Sequence, residues 1–329
     1  MNLGIIVCIL GVLFFAIVWG APEFFYAYVL KRKTPHSISP VSRLTRKTAA
    51  VDEPPPWLTS QPYEIVGITS HDGLRLNACF LSAPDPAGSA QNANTPDNII
   101  SPYTAILAHG YTGNALQMSI FARFFYEDLG YNVLIPENRG HGDSEGTYIG
   151  MGWPDRLDYM QWIDWVKERI GPAAGNTPLR IVLYGISMGG ATVMMTGGEA
   201  LPPEVKAIIE DCGYTSVEDQ LYYQMKSRYH LKSRWLMNAT SRVAKKRAGY
   251  GFAEASALEQ VKKIKVPILF IHGGDDTFVP TNMVYSLYEA CSAPKELFVV
   301  PGAGHGVAYT IAGQEYEERI SRFLRQWAP

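Results

Sequence analysis

A chain of 329 residues with a formal net charge of −2 has no overall basic pull towards nucleic acid, and its four cysteines form neither a disulfide framework nor a zinc pattern. Charged residues make up 18% of the chain, below the usual quarter, which implies extensive burial together with an uncharged segment. The length suits one large α/β domain with additions, or two small domains.

The uncharged segment is at the start. Residues 1–22 carry no charged side chain, and the 20 residues from Leu3 to Pro22 could cross a hydrocarbon core of about 30 Å as a helix. Phe24, Phe25, Tyr26 and Tyr28 follow as an interfacial aromatic belt would, and Lys31, Arg32, Lys33, Arg43, Arg46 and Lys47 come next with no acid among them. This pattern is expected to be a single transmembrane anchor over 1–30. The positive-inside rule then puts the body on the cytoplasmic side of the cell membrane. A cleaved signal peptide is the alternative, but the first residues lack the Lys or Arg of such a leader and Gly20-Ala21-Pro22 is a poor cleavage site.

Residues 31–62 contain Pro54-Pro55-Pro56 and read as an extended linker to a body spanning 63–329. Alternating apolar runs at 63–69 and 74–81 around His71-Asp72-Gly73 predict a hairpin, and 82–101 a loop. Apolar strands are then expected at 104–108, 131–136, 180–184, 205–209, 267–271 and 296–300, separated by helices near 115–129, 155–170, 188–200, 281–291 and 314–327. Such alternation means a mostly parallel sheet of about eight strands, covered by helices on both faces, with the hairpin as its antiparallel edge. One interval is too long for a single crossing helix, and a helical cap is expected at about 214–258. Cys79, Cys212 and Cys291 are expected as buried free thiols.

The chemistry centres on Gly185-Ile186-Ser187-Met188-Gly189, a G-x-S-x-G between the apolar run Ile181-Val182-Leu183 and the helical run that starts at Ala191. Strand, sharp turn and helix together form a nucleophile elbow, which holds a serine hydroxyl out at the edge of a sheet. A serine attacks an acyl carbon only when a base removes its proton, and the partners should follow in chain order as acid, then histidine, at the ends of later strands. The strand at 267–271 runs into His272-Gly273-Gly274-Asp275-Asp276-Thr277-Phe278-Val279-Pro280, and the strand at 296–300 into Pro301-Gly302-Ala303-Gly304-His305-Gly306.

With Ala108-His109-Gly110-Tyr111-Thr112-Gly113-Asn114 and Glu137-Asn138-Arg139-Gly140-His141-Gly142-Asp143-Ser144, these motifs make the chain resemble an α/β-hydrolase from about Tyr63 to the C-terminus. More narrowly it resembles bacterial membrane-associated serine esterases of that superfamily. The resemblance implies a Ser-His-Asp triad of Ser187, His305 and Asp276, since the family form H-G-x-x-D-x-x-V-P puts the acid at Asp276; Asp275 and Asp211 are the alternative acids. The oxyanion would be received by the backbone N–H groups of Met188 and Tyr111. The Tyr111 side chain could equally wall the pocket. His109, His272, His141, His36, His71 and His230 are expected to brace loops or lie on the surface.

No H-E-x-x-H, Walker A or dinucleotide G-x-G-x-x-G pattern occurs in the sequence, so no cofactor and no metal are implied. The expected activity is that of a serine hydrolase on carboxylic esters, with a small-molecule or lipid-like acyl ester as substrate. A lipase, thioesterase or serine peptidase on the same triad, or a silent binding scaffold, are the alternatives. From 222 to 249 the cap carries eight basic residues, Lys226, Arg228, Lys232, Arg234, Arg242, Lys245, Lys246 and Arg247, and no acid. A solvated cap face accounts for this plainly; a surface resting on anionic lipid headgroups is the functional reading.

Overall fold

The computed structural model describes residues 4, 5, 11, 16–32, 57–83, 101–172 and 177–329. Residues 1–3, 6–10 and 12–15 of the expected anchor, 33–56 of the expected linker and 84–100 of the 82–101 loop lie outside the described residues.

In chain order the elements are α1 (Ala21–Val29), β1 (Glu64–Thr69), β2 (Arg75–Leu81), β3 (Tyr103–Ala108), α2 (Ser119–Arg123), β4 (Asn132–Pro136), α3 (Asp155–Ile170), β5 (Arg180–Ile186) and α4 (Met188–Gly197). There follow β6 (Val205–Asp211), α5 (Val217–Tyr229), α6 (Arg234–Ala248), α7 (Ala257–Val261), β7 (Ile268–Gly273), α8 (Asn282–Ala290), β8 (Lys295–Val300), α9 (Ala308–Ala312) and α10 (Gln314–Trp327). The strands form one eight-stranded sheet in the order β1-β2-β4-β3-β5-β6-β7-β8. β1 and β2 pair antiparallel, β2 joins β4 antiparallel, and every pairing from β4 to β8 is parallel. This is the α/β-hydrolase fold.

Alternation along each central strand explains the two layers. In β5, Ile181 and Leu183 enter the core shared with α3, α4 and the cap, while Val182 and Tyr184 enter the core shared with α2 and α10. The helical stretch expected near 115–129 is present without a break, its winding changing from a 3₁₀ turn at Ala115–Met118 through α2 to a π-helical turn at Phe124–Asp128. Asn114 caps its start by accepting the N–H of Leu116.

The cap inserted between β6 and β7 is built from α5 and α6. Ser216 and Ser233 cap them by accepting the N–H groups of Asp219 and Leu236, and both helices end on left-handed residues, His230 and Gly249.

The N-terminal segment, expected as a transmembrane anchor over 1–30, lies partly against the body. Among the described residues no helix is long and apolar enough to cross a membrane. The last part of the expected anchor, α1, lies against α6, with Tyr26 and Leu30 buried in the main core and Glu23 paired to Arg247 at 2.7 Å. The chain then bridges Lys31 to Tyr148, and Arg32 donates to the carbonyls of Gly142 and Ser144 at 2.6 Å each. At the far end of the expected linker, Leu58 of the 3₁₀ turn Trp57–Ser60 is also buried. Both ends of that linker therefore rest on the body.

Candidate active site

β5 ends at Ile186, and the chain reverses at Ser187 to start α4. Ser187 has φ 57° and ψ −116°, a conformation costly to any residue with a side chain, of order 1–3 kcal/mol. Its neighbours make it possible. A Cβ on Gly189 would lie 2.0 Å from the Ala108 carbonyl oxygen, and one on Gly185 would lie 2.2 Å from that of Gly189, so only glycines let β3, β5 and α4 meet this closely. The Ser187 N–H donates to the Asp211 carbonyl at 2.7 Å and fixes the turn.

The three predicted side chains come together across loops separated widely in sequence. Ser187 Oγ is 2.8 Å from His305 Nε2, and His305 Nδ1 is 2.7 Å from Asp276 Oδ2. Asp276 as a carboxylate can only accept, so Nδ1 carries the proton, Nε2 is left with its lone pair, and the serine hydroxyl donates to it. The second oxygen, Oδ1, accepts the N–H groups of Phe278 and Val279 at 2.8 and 2.9 Å. Burial alone would raise the Asp276 carboxyl, but hydrogen bonds from His272 and His305 outweigh it and hold the group well below the usual carboxylate range.

The alternative acids do other work. Asp275 is exposed. Asp211 is buried and accepts the Tyr316 hydroxyl at 2.8 Å, and burial pushes it up to about 6. The other histidines on these loops are structural braces. His109 accepts the Asn138 N–H at 3.1 Å, His141 accepts the Thr112 N–H at 3.2 Å, and burial pushes them down to about 4 and about 3, so both are neutral. Together with the buried Arg139, paired to Asp158 at 2.6 Å and to Asp72 at 2.8 Å, they lock the loops after β3 and β4. Cys212, Asp276 and His305 offer ligand atoms within 4.8 Å of one another, but Asp276 and His305 already satisfy each other and burial raises the Cys212 thiol far above its ordinary range. That donor set does not suit a metal.

The two residues expected to supply the oxyanion donors border the same cavity as Ser187. Met188 opens α4, and the loop after β3 passes so near that a Cβ on Gly110 would lie 3.6 Å from that of Ser187. Tyr111 serves in two ways: its side chain lines the site, and its hydroxyl donates to the Val29 carbonyl of α1 at 2.6 Å.

Two cavities meet at Ser187. One, of about 360 Å³, lies between α1 and the cap and is walled mainly by apolar side chains, including Leu221, Met225, Leu236, Met237 and Phe252. The other, of about 610 Å³, is bounded by Gln117, Met118, Ile120, Phe121, Ile186, His305 and Tyr309. Tyr111, Ser187 and Phe278 border both. Sequence reasoning missed Phe278, whose ring packs on His305 with centroids 4.8 Å apart, and missed Phe25, Tyr28 and Val29 of α1 on the first cavity. The i, i+4 spacing of Phe25 and Val29 was the available signal.

Behind the elbow, Glu210 accepts the Gly213 N–H at 2.9 Å with its other oxygen unpartnered among the described residues. Burial pushes it up to about 8, with His272 opposing the shift and Asp211 adding to it. An acid raised in this way holds its proton more tightly folded than unfolded. Its contribution to stability is full below the unfolded value of 4.5 and is lost as pH rises towards 8, at up to about 1.4 kcal/mol per pH unit. Denaturant titrations should show the stability of Glu210→Gln gaining on wild type steadily over that range; a difference that stays constant with pH would sink this account.

Comparison with known proteins agrees with this architecture. Residues 117–329 match the model of the prolyl oligopeptidase family. An uncharacterized protein of Bacillus subtilis, YqkD, is 32% identical over 224 residues, which is 68% of this chain and 72% of that protein. YfhR of Escherichia coli K12, also uncharacterized, is 28% identical over 82% of both chains. Among solved structures, the esterase Pf2001 of Pyrococcus furiosus is similar with a TM-score of 0.61 and 25% identity, covering 84% of this chain and 95% of that one.

Proposed function

The chain belongs to the prolyl oligopeptidase family, and from that premise we propose that it is a serine hydrolase cleaving carboxylic esters through an acyl-enzyme on Ser187. The observation that carries the reading is the hydrogen-bonded line from Ser187 through His305 to Asp276. Ser187 Oγ attacks the carbonyl carbon while His305 Nε2 takes its proton, and Asp276 stabilises the imidazolium. The N–H groups of Met188 and Tyr111 receive the oxyanion, a role in which one donor is worth about 10²–10³ in rate. Collapse breaks the ester bond, the alkoxide leaves with the proton from His305, and water repeats the sequence to free the acid.

The cavities give the substrate a direction. His305 must protonate the leaving group, and it borders only the larger cavity, so the alcohol leaves on that side. The acyl group then occupies the apolar cavity under the cap. This lining favours an aliphatic or lipid-like acyl chain, and the similar Pyrococcus furiosus protein is described as an esterase. The same machinery on a peptide or thioester is the second reading, favoured by the family's peptidase name. A p-nitrophenyl ester series from acetyl to palmitoyl tests the proposal with a fluorophosphonate label as control. Ester turnover with a defined chain-length optimum is expected; labelling of Ser187 without hydrolysis of any ester would turn the assignment to peptidase.

We also propose that the uncharged run Leu3–Pro22 tethers the enzyme to the membrane with the body on the cytoplasmic side. Supporting this, Trp19 near the end of that run and Phe24 and Tyr28 just after it are exposed, as are Tyr229, Leu231 and Trp235 on the cap. The full chain should float with phospholipid vesicles whereas one lacking residues 1–20 should not, and a C-terminal tag should survive protease applied to intact cells. Equal flotation of the two, or digestion of the tag, would overturn tether or orientation respectively.

A further inference from the structure

α1 divides its surface three ways. Tyr26 and Leu30 enter the core, Phe24 faces solvent, and Phe25 and Val29, one helical turn apart, border the cavity that reaches Ser187. The helix is held in that position at three points along its length. Glu23 pairs with Arg247 at 2.7 Å, the Val29 carbonyl accepts the Tyr111 hydroxyl at 2.6 Å, and the Tyr28 hydroxyl accepts that of Tyr229 at 2.9 Å.

The last two contacts bear directly on the site. Tyr111 is the residue whose backbone N–H is assigned to the oxyanion, and its own side chain is hooked to α1. Tyr28 and Tyr229 both border the cavity and are both about half exposed, with rings at 84° and centroids 6.4 Å apart, so they close its rim between helix and cap. A segment ahead of the hydrolase body thus forms part of the site's lining.

We propose that α1 is the specificity wall of the acyl site, with Phe25 and Val29 limiting the length of the aliphatic acyl group that Ser187 can accept. This rests on the assignment of the cap cavity to the acyl group. The physical basis is volume: a close-packed apolar wall rejects extra methylenes until a side chain is removed to admit them, and differences of one methylene already discriminate about tenfold or more. Phe25→Ala lengthens the cavity, and Val29→Phe shortens it. Phe24→Ala, one position away on the exposed face, leaves it unchanged.

The full-length chain and the three variants are compared in two ways: kcat/KM over p-nitrophenyl esters from acetyl to palmitoyl, and the rate at which n-alkyl fluorophosphonates of increasing length label Ser187. The ratio of long-chain to short-chain reactivity should rise roughly tenfold or more in Phe25→Ala, fall comparably in Val29→Phe, and hold in Phe24→Ala. Circular dichroism confirms that each variant is folded, and Val29→Phe stands alone as a test if Phe25→Ala does not fold. Labelling profiles that shift while no ester is cleaved would retire the esterase assignment and keep the wall. Profiles that coincide with wild type in both wall variants, with Ser187 labelled, would overturn the proposal.

Discussion

Ser187→Ala is expected to lower kcat by roughly 10⁶-fold and to leave a folded protein. The substitution removes the atom that forms the acyl-enzyme but keeps the Cβ, so the backbone at φ 57° carries no strain that serine did not already carry. Gly185 and Gly189 still allow the turn, and the Ser187 N–H bond to Asp211 is a main-chain contact that alanine preserves. On the proposed mechanism, whatever rate is left would come from substrate binding and the N–H groups of Met188 and Tyr111. Because nucleophile and base act as a unit, the double variant Ser187→Ala, His305→Ala should be about as slow as either single one. Activity within tenfold of wild type, measured on the best ester, would mean that another group attacks the carbonyl.

Asp276→Asn should cost about 10⁴-fold in kcat with little change in fold. The two oxygens of Asp276 are not equivalent, and that difference determines what the amide does. Oδ1 accepts two main-chain N–H groups, from Phe278 and Val279, so the asparagine carbonyl must occupy that position. Its NH₂ then points along the former Oδ2 direction at His305 Nδ1, 2.7 Å away in the native site. Two donors cannot face each other at that distance. The imidazole changes tautomer, its proton moves to Nε2, and the nitrogen facing Ser187 no longer accepts. The base is lost through orientation while the site keeps its shape. An NMR signal for a strongly hydrogen-bonded His305 Nδ1–H in wild type and its absence in the variant would report the change directly, and an Asp276→Asn enzyme within tenfold of wild type would refute the role given to the acid.

These two side chains, and the sheet that carries them, were legible because local rules determine them. Strand–Gly-x-Ser-x-Gly–helix has few other meanings, and the parallel strands, buried on both faces, appear as apolar runs whose spacing leaves room for a helix. Asp276 over Asp275 came from resemblance, and the structure gives the reason: at 276 the carboxylate turns inward to two histidines, at 275 it faces solvent. The stretch 115–129 was legible as helical because its apolar content is continuous; its changes of winding, from 3₁₀ after the Asn114 cap to π at Phe124–Asp128, were not. The role of α1 was not legible. Phe24 to Leu30 is apolar enough for a lipid interface, a core or a pocket, and only the position of α6, over two hundred residues later, decides among them. Phe278 was hidden for a similar reason. Its position in the loop after β7 was plain, but Gln220 and Gln224 of the cap hold its carbonyl and turn its ring over His305.

Two cavities that share Tyr111, Ser187 and Phe278 on their walls also bear on the order of events. On the proposed ester mechanism, once the acyl group is bound covalently the alcohol would depart through the larger cavity and empty the space beside His305 without disturbing the chain under the cap. On that reading the next molecule to arrive there is the one His305 would activate, whether water or a small alcohol. A small alcohol that entered first would then take the acyl group, and the cycle would end in transesterification instead of hydrolysis. The partition between acid and new ester is then set by what occupies one cavity, and the identity of the acyl group by the other.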